Sequence, residues 1–123
     1  MENDASLQKT REVIEEISSA EFHERVWRKG LGPEVSSYEE AMCRLFDDLG
    51  FSRLIDVEWR QAGLSEHQVV KLREFRDRLL EFDKEIPEIP QPQAVLQHPS
   101  WSKIRECALR AAQALRPDNR AAD

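Results

Sequence analysis

A chain of 123 residues with a formal net charge of −6 is the size of one domain, able to bury a single core without disulfides or a structural metal. Charged residues make up 34% and hydrophobic residues 40%, and no apolar run is long enough to cross a bilayer. The acidic balance speaks against nonspecific nucleic-acid binding, which needs clustered Lys and Arg to neutralise phosphates. Met1-Glu2-Asn3-Asp4 offers neither a basic nor an apolar leader, so the expectation is a cytoplasmic protein without a secretory signal.

The first helix is expected over residues 6–18. Leu7, Thr10, Ile14 and Ile17 recur at helical spacing beside Val13, and Glu12, Glu15 and Glu16 fill the outer face. Ser18 stands three residues before Glu21, the spacing of a capping box, and opens a short helix over 20–29. Gly30-Leu31-Gly32-Pro33 ends it.

A third helix spans 38–49. Ser36 with Glu39 and Ser37 with Glu40 are alternative capping boxes, and Gly50 supplies the stop. Tyr38, Ala41, Met42, Leu45, Phe46 and Leu49 form its apolar face; Glu39, Glu40, Asp47 and Asp48 form the other, with Arg44 as the one base. Arg44 lies four residues from both Glu40 and Asp48 and can pair with either, leaving Glu39 and Asp47 the least neutralised.

Residues 51–63 carry both a helical face (Phe51, Leu54, Ile55, Trp59, Ala62) and a strand-like alternation, and the absence of a second alternating run favours helix. Ser65 and Gln68 then make a capping box, with Leu64 and Val69 at hydrophobic-staple positions. The helix they open runs to about residue 84 and should bury Val69, Leu72, Phe75, Leu79 and Phe82, with Ile86 as a candidate sixth member of the stripe. Pro87, Pro90, Pro92 and Pro99 break the chain, leaving room for one helical turn at 94–97. Ser100 is positioned to cap a last helix over 101–115, and 117–123 reads as a frayed tail. The expected fold is all-α, one compact domain of five or six amphipathic helices over 1–116 with a Pro-rich loop before the last.

Motifs for catalysis, metal or cofactor are not found, so the expectation is a non-enzyme. His23, His67 and His98 stand apart from one another and from the cysteines, without zinc or di-iron spacing. His23 borders an apolar face beside Trp27 and is expected to be packed or half-exposed, with His67 and His98 at the surface. Cys43 and Cys107 read as reduced, buried or half-buried structural thiols. Cys43 lies between Glu39 and Asp47, whose charges raise its pKa and reduce its nucleophilicity. Adjacent carboxylates on one helix diverge and cannot form a glycosidase pair. Lys71, Arg73, Arg76 and Arg78 suggest a DNA-recognition helix, but Glu74, Asp77 and Glu81 interleave with them, and Arg73–Asp77 and Glu74–Arg78 are i,i+4 pairs, the pattern of a self-paired solvent face.

What remains is charge. Residues 34–58 hold seven acids (Glu34, Glu39, Glu40, Asp47, Asp48, Asp56, Glu58) against Arg44 and Arg53, a net of −5. Such a surface steers a basic partner and speeds its association. Glu39, Asp47, Asp56 and Glu58 are the candidate protein-binding residues. In size, charge, helicity and the run over 38–50, the chain resembles small acidic helical bacterial immunity proteins. That resemblance implies binding rather than catalysis, with a basic toxin such as a nuclease as partner; no single residue's role carries over from it. The alternative is a self-associating structural or regulatory domain that uses Trp27, Trp59, Trp101 and the Pro-rich loop as an aromatic interface, so that monomer and homodimer both stay open.

Overall fold

The computed structural model describes residues 2–88 and 90–116, so the tail at 117–123 lies outside the described residues. These form seven helices: α1 (Glu2–Ser18), α2 (Ala20–Phe22, running on as a π-helical His23–Arg28), α3 (Tyr38–Met42, then π-helical Cys43–Asp48), α4 (Phe51–Arg53, then π-helical Leu54–Glu58), α5 (Glu66–Glu85), α6 (Pro92–Leu96) and α7 (Trp101–Ala114). The expected all-α fold is what forms. The count exceeds five or six because residues 51–63 are helical through Glu58 and the Pro-rich segment holds a complete short helix. No strand occurs among the described residues.

Helix packing runs in a closed circuit. α1 lies on α7, α7 on α5, α5 on α4, α4 on α3 and α3 back on α1, while α6 packs against α2. The core fills this circuit. α1 contributes Leu7, Val13, Ile14 and Ile17; α5 contributes Val69, Leu72, Phe75, Leu79 and Phe82, with Ile86 at its C-cap partly buried; α4 contributes Phe51, Leu54 and Ile55. α7 can serve two neighbours at once because Ala108, Ala111 and Ala112, all buried, let other backbones come close.

The helix starts show which sequence signals decided. Ser65 and Gln68 make the full reciprocal box, and the Gln68 amide also donates to the Ala114 carbonyl at 2.7 Å, tying the start of α5 to the end of α7. Ser37 caps α3 by accepting from Glu40 N–H. Two expected caps are corrected. Ser19 rather than Ser18 caps α2, since the Ser18 hydroxyl turns back to donate to the Glu15 carbonyl. Ser100 makes no side-chain cap; instead its N–H donates to His98 Nδ1, so the histidine side chain shapes the turn into α7. Gly50 holds φ 59° between α3 and α4, a left-handed residue that ends one helix and directly precedes the next. The i,i−5 bonds Lys29 N–Glu24 O and Leu49 N–Arg44 O close α2 and α3 in wider turns than an α-helix makes.

The double duty of α7 gives a contrast between neighbouring residues. Ala108→Leu, at a fully buried contact, should destabilise the protein by about 1–3 kcal/mol. Leu109→Ala, at a position 48% exposed, should stay within about 0.5 kcal/mol of wild type in chemical denaturation.

Candidate functional site

The geometry of the acidic region is set from α1. Glu16 does not lie on the outer face as its position beside Glu15 suggested; its side chain is only 10% exposed. Its Oε1 accepts from the Arg44 guanidinium at 2.7 Å. Its Oε2 accepts from the Trp27 indole N–H at 3.1 Å and from the Ser36 hydroxyl. Arg44 also donates to Ser36 Oγ at 2.9 Å. One carboxylate therefore joins α1, α2, the segment leading into α3, and α3 itself. A buried carboxylate needs such company, because an unpaired charge away from water is far costlier than a shared one.

This corrects the expected pairing of Arg44. The guanidinium leans away from Glu40 and Asp48 toward α1, and no ion pair joins it to either acid. Glu39, Glu40, Asp47 and Asp48 are all exposed, and none has an ion-pair partner among the described residues. The other two candidates behave differently. Asp56 pairs with Arg76 at 2.9 Å, and that guanidinium holds its carboxyl below the usual range. Glu58 pairs with Arg53 at 2.9 Å. Glu39 and Asp47 thus stand as expected on a surface without counter-ions, joined by Glu40 and Asp48, while Asp56 and Glu58 are already neutralised. Glu34, the first acid of the segment, is held by Arg25 at 2.8 Å. The same ion pair lies against Gly32, whose φ of 93° favours glycine and where an added Cβ would push the Arg25 and Glu34 side-chain ends aside.

Cys43 is exposed in the middle of this face rather than half-buried. Local desolvation and the charges of Asp47, Glu40, Asp48 and Glu39 push its thiol pKa up, the direction expected from its neighbours. Cys107 is buried and accepts a hydrogen bond from Arg110 at 3.3 Å, and both cysteines are free.

Beside the network lies an aromatic cluster. Trp27, Tyr38, Phe82 and Trp101 pack with centroids 5.2–6.2 Å apart, and His23 stacks on Trp27 at 4.1 Å. Trp27 and Trp101 are core residues, 6% and 3% exposed, which removes them from any aromatic docking surface. Tyr38 donates to Asp83 at 2.7 Å, and burial followed by that carboxylate raises the pKa of its phenol. His98 is half-buried edge-on against Phe82 rather than at the surface, whereas His67 is exposed as expected. No group of three or more His, Cys, Asp or Glu that could hold a metal occurs among the described residues.

Glu16, Ser36 and Trp27 are the positions that sequence reasoning missed. A signal was present: Glu16 is three residues beyond Val13 and next to Ile17, on the border of the buried stripe, and a core tryptophan N–H needs an acceptor. Comparison with known proteins finds no matching family model, no similar curated protein and no similar solved structure.

His23 provides a test of the buried cluster. It is 2% exposed, its Nε2 meets the Glu16 carbonyl at 2.8 Å, and burial lowers its pKa from 6.5 to about 4. A carbonyl can only accept, so Nε2 carries the proton and the neutral ring leaves a lone pair on Nδ1. As pH falls from 6.5 toward about 4, the unfolded chain binds a proton that the folded chain refuses, so stability falls with pH across that window. The loss should total about 3 kcal/mol. His23→Phe should remove this contribution, flattening the acid limb of a stability–pH curve relative to wild type.

Proposed function

We propose that this chain is a small acidic protein-binding module that inhibits a basic partner, in the manner of an immunity protein neutralising a toxin nuclease. The observation that carries the reading is the α3 surface: Glu39, Glu40, Asp47 and Asp48 exposed together without counter-ions, because Glu16 has taken Arg44. Carboxylates already paired within the molecule gain little from a partner's cations; unpaired ones on a rigid helix gain the most, both in steering and in contact. The helix is rigid because Ser37 caps its start, its inner face is buried, and Tyr38 and Arg44 anchor it to α5 and α1. A raised thiol pKa at Cys43 favours binding over thiolate chemistry on this face. The self-association reading loses its aromatic surface, since two of its three tryptophans are in the core.

The test uses the full chain as bait in its native host, followed by kinetics with the recovered partner. The partner should be basic. Combined reversal of Glu39, Glu40, Asp47 and Asp48 to Lys should slow its association by about tenfold or more at low salt, with the difference shrinking as salt rises. Reversal of Asp56 and Glu58 should have a markedly smaller effect, because each already has an arginine partner. Equal effects from the two sets, or unchanged kinetics in the first, reject the α3 surface as the docking face.

A further inference from the structure

The acidic surface of α3 ends in a groove. Lys9, Glu12 and Val13 of α1 form one wall, and Arg44, Asp48 and Leu49 at the end of α3 form the other, around a volume of about 440 Å³. Its apolar lining is Val13, which is buried, and Leu49, which is partly buried against the core. Glu12 and Asp48, both exposed, stand on opposite walls, and neither has an ion-pair partner among the described residues. Arg44 cannot neutralise them, because its guanidinium is bonded to Glu16 and Ser36. Lys9 is exposed and pairs with neither carboxylate. Two uncommitted carboxylates against one uncommitted ammonium leave the groove with a net charge of −1.

The backbone adds to that charge independently of the side chains. A helix carries partial negative charge at its C-terminal end, where cations are favourable and anions are not. The last turn of α3 holds Asp47 and Asp48 and no basic residue. Two carboxylates therefore sit at the end of the helix that repels them, with no internal cation to offset either. That order of charges disfavours the free protein and favours an external cation at this spot. The apolar lining narrows the choice further, since a small hydrated ion gains nothing from Val13 and Leu49. A long basic side chain gains from both, its hydrocarbon stem lying on the apolar residues and its charge between the acids. Guanidinium suits two separate carboxylates better than ammonium, because its five N–H donors point in several directions from one plane.

We propose that the groove between α1 and α3 seats an arginine side chain of the basic partner, its guanidinium between Glu12 and Asp48 and its stem along Val13 and Leu49. This rests on the reading of α3 as the docking face and deepens it. The outer carboxylates Glu39, Glu40 and Asp47 steer the partner, and the groove supplies a defined contact that brings Glu12 of α1 into the interface.

The test is a titration of the full-length chain labelled with nitrogen-15, reading backbone amide signals. N-acetyl-argininamide is the probe; N-acetyl-citrullinamide, the uncharged analogue of equal length, and sodium chloride at matched ionic strength are the comparisons. The arginine probe should shift the amides of Val13, Asp48 and Leu49 saturably, and the citrulline analogue should bind about fivefold or more weakly. Glu12→Gln and Asp48→Asn should each weaken the probe by about two- to fivefold, the contribution of a solvent-open ion pair, while Glu39→Gln should leave its affinity unchanged. Asp48→Asn should at the same time raise the denaturation midpoint of the free chain, an effect opposite to loss of a structural contact. No saturable response to the arginine probe, equal binding of the citrulline analogue, wild-type affinity in both Glu12→Gln and Asp48→Asn, or an equal loss in Glu39→Gln overturns the assignment. The titration uses the chain alone, so its failure removes the groove and leaves the α3 docking face standing, whereas unchanged association kinetics in the four-residue reversal reject the docking face itself.

Discussion

The Glu16 carboxylate is the constraint on which the N-terminal half of the molecule depends. It accepts from an indole, a hydroxyl and a guanidinium that come from three different parts of the chain. Hydrogen bonds to a charged group contribute about 1.5–3 kcal/mol each, more than neutral ones. The same burial that makes them strong makes them obligatory: remove the guanidinium and a buried anion is left with neutral donors alone. Apolar packing holds α1 on α7, but packing tolerates small rotations. The fan of directional bonds at Glu16 does not, and it fixes how α2 and α3 sit relative to α1.

The state of the outer surface follows from that inner bond. Arg44 is the one base on α3, and geometry along an isolated helix would place it between Glu40 and Asp48. An exposed i,i+4 pair contributes only about 0.3–0.5 kcal/mol, whereas a pair with a carboxylate that is nine-tenths buried escapes most solvent screening. The stronger partner takes the arginine. The four outward carboxylates of α3 then remain without internal compensation, and the cost of their mutual repulsion is borne by a helix anchored through Tyr38, Leu45 and Arg44. A surface kept unpaired in this way is suited to recognition, and its availability is decided in the interior.

Sequence reasoning reached most of the fold because the fold rests on signals local to the chain. Apolar spacing identifies the buried residues of α5, and the Ser65–Gln68 box locates its start. What it missed involves partners far apart in sequence. Arg44 and Glu16 are separated by 28 residues, Tyr38 and Asp83 by 45, and Gln68 and the Ala114 carbonyl by 46. Periodicity places a residue on a face but does not say which other element that face will meet. Glu16 reads as a solvent-side residue because it is a glutamate, although it borders the buried stripe. Proximity in sequence groups Asp56 and Glu58 with Glu39 and Asp47, and tertiary pairing with Arg76 and local pairing with Arg53 separate them.

The capture of Arg44 by Glu16 is most directly tested by two double-mutant cycles in chemical denaturation, Glu16→Gln with Arg44→Met and Asp48→Asn with Arg44→Met. The account predicts a coupling of about 1–3 kcal/mol for the first pair and additivity within about 0.3–0.5 kcal/mol for the second. Negligible coupling to Glu16 together with measurable coupling to Asp48 would contradict it, since Arg44 would then be neutralising the surface that it is held to have vacated.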